Sequence, residues 1–214
     1  MANEEILTQQ SFRRGIVWLV DRDKHLADVI ARYGPPPFWV HASGFPGLVL
    51  AVLAQQVSLE SADAAYRRLL DELGSIEPGP FAALNDTTLK AIGFSRQKAS
   101  YVRGLASDLI KGRLDLAALT SMDDESARSR LIQIRGVGPW TADAYLLFSL
   151  RRRDAWPPGD LALARAIQDL RGLDETPTPD AADRMAEGWR PWRAVAARIL
   201  WHQYLSLRGR SAAI

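Results

Sequence analysis

The sequence predicts an all-α fold, a two-lobed bundle of helices, and three observations carry that prediction. Apolar residues recur at helical spacing through most segments, whereas strand-like alternation never runs beyond about four residues. Ser, Asp and Asn stand just before several of these periodic runs, and Gly or Pro just after them, where helices start and stop. No internal repeat is present, and 214 residues with 47% hydrophobic content can bury a sizeable core.

In chain order, Phe12 to Val20 and His25 to Tyr33 read as two short amphipathic helices. Gly34-Pro35-Pro36-Pro37 ends the second and begins an extended connector through Phe38-Trp39-Val40-His41. Gly47 to Leu73 is expected to be one long helix, its first half apolar nearly all round as in a central buried helix. Gln55, Gln56 and Ser58 interrupt that run, either as a helix end or kink or because such groups need partners or a surface. Asn85 caps Thr87 to Ile92, which Gly93 stops; Ser95 caps a run to Leu109, closed by Gly112. Arg96 and Lys98 on that run are expected to add basic charge. Asp123 to Ile134 has acids in its first turn and Arg128 and Arg130 later, as the helix dipole favours.

The turn Arg135-Gly136-Val137-Gly138 follows, then Pro139, whose fixed φ suits the first position of a helix from Trp140 to Leu150. This is a helix, a tight Gly-x-Gly hairpin and a second helix. Its outward amides and the positive end of the helix dipole offer a site for a phosphate. Arg151-Arg152-Arg153 reads as a solvated helix end or a phosphate clamp. Pro157-Pro158-Gly159 then presents a lone carboxylate, Asp160, at the start of a helix to Leu170. Pro179 to Glu187 is a short helix and Pro191 to Leu207 a last long one. Each part also has a plain reading: Gly-x-Gly is a common helix stop and Asp a common N-cap.

Composition excludes several classes. With no cysteine there is no disulfide, no thiol catalysis and no cysteine-held iron–sulfur cluster. No apolar run approaches the roughly 20 residues that span a bilayer. MANEEILTQQSFRRG lacks the apolar core of a signal peptide, so a cytoplasmic, nucleoid-associated protein is expected. His25, His41 and His202 are too scattered for a metal site. Net charge is only +2; lysine occurs only at 24, 90, 98 and 111, and arginine supplies the rest of the 27 basic residues. After Glu187 no acid follows, while Arg190, Arg193, Arg198, Arg208 and Arg210 do.

The order of RGVGPWTAD, arginine cluster, Pro-Pro-Gly and Asp160 resembles the helix-hairpin-helix plus Gly/Pro-Asp signature of a DNA glycosylase superfamily. Ala54-Gln55-Gln56-Val57-Ser58 and Trp189-Arg190-Pro191-Trp192-Arg193 through Trp201 resemble the bacterial 3-methyladenine DNA glycosylase II family, and the match runs from about Pro46 to Leu205. The resemblance implies a single unit of two interleaved helical lobes, about 46–120 and 121–170, with 1–45 and 171–214 packing back. It also implies a compact form without that family's amino-terminal sheet domain.

The function implied is a monofunctional glycosylase that flips alkylated bases, 3-methyladenine and 7-methylguanine, out of damaged double-stranded DNA and hydrolyses the N-glycosidic bond. Asp160 is then the catalytic carboxylate. Gln55, Gln56 and Ser58 abut the DNA, with Gln56 at the wedge position, and Gly136, Val137, Gly138 and Thr141 grip the backbone. The resemblance also implies a sodium or potassium ion on the carbonyls of Ile132, Ile134 and Gly136, and no cofactor for catalysis. Trp140 and Trp201 fall on aromatic positions of the base pocket; Ala144 and Leu161 fall where relatives are aromatic, and Trp39 is the candidate to compensate. Trp140 also occupies the place of the lysine that attacks the sugar in lyase-type relatives, so no lyase activity is implied. A monomer is expected. The rival readings are a non-catalytic lesion-binding module and a glycosylase for deaminated or oxidised bases.

Overall fold

The computed structural model describes residues 6–209, so Arg210 lies outside the described residues. Among the described residues there are twelve α-helices and no strand; one isolated bridge pairs Ile6 with Arg152. No helix is long and apolar enough to cross a membrane. The chain divides into two compact units: one runs up to Val40 and resumes at Leu146, the other runs from His41 to Tyr145. That division falls inside a helix, whereas the sequence reading placed a lobe boundary near 120.

The first unit contains α1 (Gln9–Val20), α2 (Lys24–Tyr33), α10 (Leu161–Arg171), α11 (Pro179–Ala186) and α12 (Arg193–Ser206). Its centre is α12, buried without interruption from Ala194 to Leu200, against which α1, α2 and α10 pack. Gly15 lets α1 approach that helix, since a Cβ there would come 2.7 Å from the Trp192 ring and 2.9 Å from Val195. Asp23 caps α2 through the amides of His25 and Leu26. Its second oxygen accepts from Arg171 (2.6 Å) and the Trp189 indole (2.9 Å), tying α2 to the end of α10 and to the 3₁₀ turn Glu187–Trp189. Burial pushes the Asp23 carboxyl up, but the Trp189 hydrogen bond and the Arg171 charge outweigh it and leave the pKa below its ordinary value.

The arginines of the triplet 151–153 and of the stretch after Glu187 are largely built into this unit. Arg151 adopts φ 56° and its carbonyl accepts from Leu7 N (2.7 Å); Arg152 is 2% exposed; Arg153 lies over the Trp192 ring at 5.5 Å. The triplet is therefore neither a solvated helix end nor an open clamp, because apolar arginine stems bury readily and the flat guanidinium stacks on aromatic rings. Arg190 and Arg193 both pair with Asp154, at 2.6 and 3.0 Å, and with Glu187. Arg208 stacks on Tyr204 at 3.7 Å.

Arg198 is fully buried. Its guanidinium donates to the carbonyls of Ala194 (2.9 Å), Trp39 (3.1 Å) and Leu147 (3.0 Å), and the rings of Phe12, Phe38 and Phe148 surround it at 5.4–5.9 Å. Burial pushes its pKa down to about 9, so it remains a cation at neutral pH.

The second unit contains α3 (Phe45–Leu53), α4 (Leu59–Leu73), α5 (Pro78–Ala83), α6 (Asp86–Ile92), α7 (Arg96–Ile110), a 3₁₀ turn (Ala117–Ser121), α8 (Asp124–Ile132) and α9 (Pro139–Phe148), whose last turn passes into the first unit. The single helix expected over 47–73 is two helices. The chain breaks at 54–58, where Gln56 takes φ 55° and Ser58 caps α4 by accepting from Ser61 N. At the break, Lys98 on α7 donates from Nζ to the carbonyls of Leu53 (2.7 Å) and Gln55 (2.8 Å) and so satisfies the end of α3. Lys98 is half-buried and desolvation lowers its pKa, so it is not the exposed basic charge expected there. Helix α5, packed on α7, was not foreseen.

Arg198→Ala would remove the guanidinium donor from three buried carbonyls and leave a void inside the first unit. A destabilisation of about 3–5 kcal/mol is expected in urea unfolding. A loss below about 1 kcal/mol would show that these carbonyls are satisfied without the guanidinium.

Candidate functional site

In the second unit the hairpin joins α8 to α9. The arms are held by Arg128, which forks onto both oxygens of Asp143 at 2.8 and 2.6 Å; Asp143 is 2% exposed. A bidentate pair fixes orientation as well as distance, and the Asp143 hydrogen bond raises the Arg128 pKa. The turn between the arms needs glycine at 136 for two reasons. Its φ is 88°, and a Cβ would overlap the ring of Tyr101 on α7. Gly138 has neither constraint, and a Cβ there meets nothing within 4 Å.

The residues expected to touch a partner divide into two groups. Val137 is buried and its amide donates to Ile134 O (2.9 Å), so neither its side chain nor its N–H faces outward. Thr141 is buried too, its hydroxyl accepting from Gln55 Nε2 (2.9 Å). The same Nε2 donates to Gly136 O (2.9 Å), so the Gln55 side chain is turned onto the hairpin. Gln56 and Ser58 are exposed. Of the three carbonyls expected to hold a cation, Ile134 O and Gly136 O each accept one hydrogen bond, which leaves each a second lone pair.

In the first unit, the Pro-Pro-Gly turn leads to Asp160, which caps α10. Its Oδ1 accepts from Leu163 N (2.8 Å) and from the indole Nε1 of Trp201 on α12 (3.3 Å). Trp201 in turn stacks on Phe148, with ring centroids 5.3 Å apart and planes 21° from parallel. The carboxylate, a hydrogen-bonding indole and a second ring thus form one cluster, backed by the Arg198 guanidinium over Phe148. Leu161, beside Asp160, is 60% exposed, whereas Trp39 is 6% exposed with its carbonyl engaged by Arg198. Trp140 is half-buried and Ala144 buried on α9. Phe148, which sequence reasoning missed, follows Trp140 and Ala144 at successive four-residue steps along α9, and that spacing was the available signal. Among the described residues no group of three or more His, Cys, Asp or Glu side chains could hold a metal ion.

The model of the family described as HhH-GPD superfamily base excision DNA repair protein matches residues 49–191, more than half of the chain. The chain belongs to the HhH-GPD superfamily. The family match contains the hairpin, the Pro-Pro-Gly turn and Asp160. A Bacillus subtilis DNA-3-methyladenine glycosylase is 32% identical, over 73% of this chain and 56% of its own length. A second B. subtilis relative is 29% identical, over 82% of this chain and 64% of its own. The chain therefore spans less than two thirds of the length of these two relatives. The structure of Schizosaccharomyces pombe 3-methyladenine DNA glycosylase Mag1, solved with abasic DNA, superposes with a TM-score of 0.78 at 27% identity. That match covers 88% of this HhH-GPD chain and 95% of the yeast one.

The two hairpin glycines should separate on substitution. Gly136→Ala must shift Tyr101 and hold φ 88° with a side chain, and should cost at least about 1–3 kcal/mol in thermal or urea unfolding. Gly138→Ala should leave stability within about 0.5 kcal/mol while weakening binding to a DNA duplex. Equal stability losses at both positions would contradict this difference.

Proposed function

We propose that this protein is a monofunctional DNA glycosylase that hydrolyses the N-glycosidic bond of alkylated purines, 3-methyladenine and 7-methylguanine first, and leaves an abasic site. The observation that carries this reading is the Asp160 cluster. A carboxylate is held at a helix N-terminus by one amide and one indole, beside stacked aromatic rings. The names of the relatives, and the abasic DNA bound to the yeast one, support the same chemistry.

Breaking the bond lets the sugar carbon become cationic as the base departs. A fixed carboxylate lowers the energy of that cation or orients the attacking water. The Leu163 and Trp201 hydrogen bonds keep Asp160 in one orientation. An alkylated purine is already cationic and a good leaving group, so an aromatic face that attracts a cation does more for it than a general acid would. Trp201 and Phe148 offer such a face, with Trp140, Ala144 and Leu161 as further candidates. Reaching the base requires its extrusion from the duplex, a role given to Gln56, with backbone grip from Gly138 and the start of α9. A sodium or potassium ion on the carbonyls of Ile132, Ile134 and Gly136 fits their remaining lone pairs and would bridge the hairpin to a phosphate. Trp140 carries no amine, so no Schiff base forms at that position. The protein would then act as a monomer on damaged duplex DNA.

A panel of duplexes, each with one lesion, tests this directly. Release of free alkylated base with chelator present and no cofactor is expected, and Asp160→Asn should slow it by about 100-fold or more. Release of deaminated or oxidised bases only would move the substrate class, and salt-sensitive binding with every base retained would make the protein a lesion-binding module. Borohydride should trap no covalent protein–DNA adduct; a trapped adduct would assign the attack to another amine.

A further inference from the structure

In the second unit, helix α7 carries two anchors one turn apart. Lys98 holds the chain at 53–55 through two carbonyls, and Tyr101 seats the hairpin under Gly136. Between these anchors lies Gln55, whose two amide hydrogens go to Gly136 O and Thr141 Oγ1 while its own carbonyl receives Lys98. The next residue, Gln56, is exposed at φ 55°, a conformation that a non-glycine residue keeps only when its surroundings impose it. No ordinary helix would place Gln56 there, because a continued α3 would give it a negative φ and i−4 bonding.

We propose that Gln55 is a positioning residue, not a DNA contact: its amide locks the loop 54–57 to the hairpin, so that the element gripping the backbone also fixes where Gln56 is presented. The proposal rests on the reading of Gln56 as the group that fills the gap left by an extruded nucleotide. It assigns that filling to a three-part link of hairpin, Gln55 and Lys98. Removing the link frees Gln56 to relax to negative φ, while Gln56 itself is unchanged. Gln55→Leu removes both donors at similar size. Gln55→Glu keeps the size and polarity but sets a carboxylate oxygen against Gly136 O.

The test uses the whole protein and a duplex with a tetrahydrofuran abasic analogue opposite 2-aminopurine, whose fluorescence reads filling of the gap without any chemistry. Wild-type protein should change the signal on binding, and Gln56→Ala should abolish that change. Gln55→Leu, Gln55→Glu and Lys98→Met should each reduce it about tenfold, with far-ultraviolet circular dichroism unchanged. In affinity for the same duplex, the double variant Gln55→Leu with Gln56→Ala should lose no more than Gln56→Ala alone, since nothing is left to position. A merely structural Gln55 would add its own loss to the double variant, and that result overturns the proposal, as does a full signal from both Gln55 variants or none from wild type. A wild-type protein that gives the signal yet releases no base would refute the glycosylase reading and leave the positioning role supported.

Discussion

Asp160 is a half-buried carboxylate, and its place at the start of α10 supplies hydrogen bonds that such a group needs. A helix start leaves four amides without partners and carries a partial positive charge. One such amide, from Leu163, fixes Asp160 Oδ1, and Trp201 adds an indole N–H to the same atom. The capping bond and the orientation of the Asp160 carboxylate are thus one interaction. The same indole is the ring that stacks on Phe148, and Arg198, one turn before Trp201 on α12, lies 5.4 Å from the Phe148 ring centroid. Burying a cation among rings and carbonyls is costly unless it is hydrogen-bonded. Three carbonyls meet that cost, and in return the end of α9, the connector at Trp39 and α12 are pinned together.

Helix ends recur in the second unit with opposite sign. The last carbonyls of α3 attract the ammonium of Lys98, and the break that follows turns a would-be continuous helix into two. At the hairpin, Gly136 is demanded by the protein's own packing, whereas Gly138 faces open space. An open glycine next to a helix start suits a close-approaching phosphate. Gly136 therefore belongs to the construction of the hairpin, a demand that Gly138 does not share.

Much of this was legible in the sequence because it rests on local rules. Helical periodicity, the Gly-x-Gly-Pro turn and a carboxylate after Pro-Pro-Gly each depend on residues a few positions apart. What escaped depends on residues far apart in sequence. Ser58 is a usual helix start, but Lys98, the side chain that holds the chain at the break, lies more than forty positions away. The pattern made Val137 and Thr141 look like contacts because they sit in the hairpin; burial turned both inward. What the arginines after Glu187 do was not readable locally, because Asp154, which pairs with Arg190 and Arg193, lies 36 and 39 residues before them.

That use of arginine bears on how a chain of net charge +2 would hold a polyanion. Arg128, Arg171, Arg190 and Arg193 pair with Asp143, Asp23, Asp154 and Glu187, and Arg198 serves carbonyls. These are tasks for a rigid fork that binds two acceptors at once, which lysine cannot do. The fold thus engages these five arginines, and the sequence-independent attraction to phosphates that they would otherwise add is reduced. Amides at a helix start supply a short-range alternative, since their field falls off within about one turn. For a protein with the function proposed above, this division is useful. Undamaged duplex competes poorly when long-range attraction is weak, and discrimination passes to contacts that form only where the strand is distorted enough to reach Gly138 and Gln56.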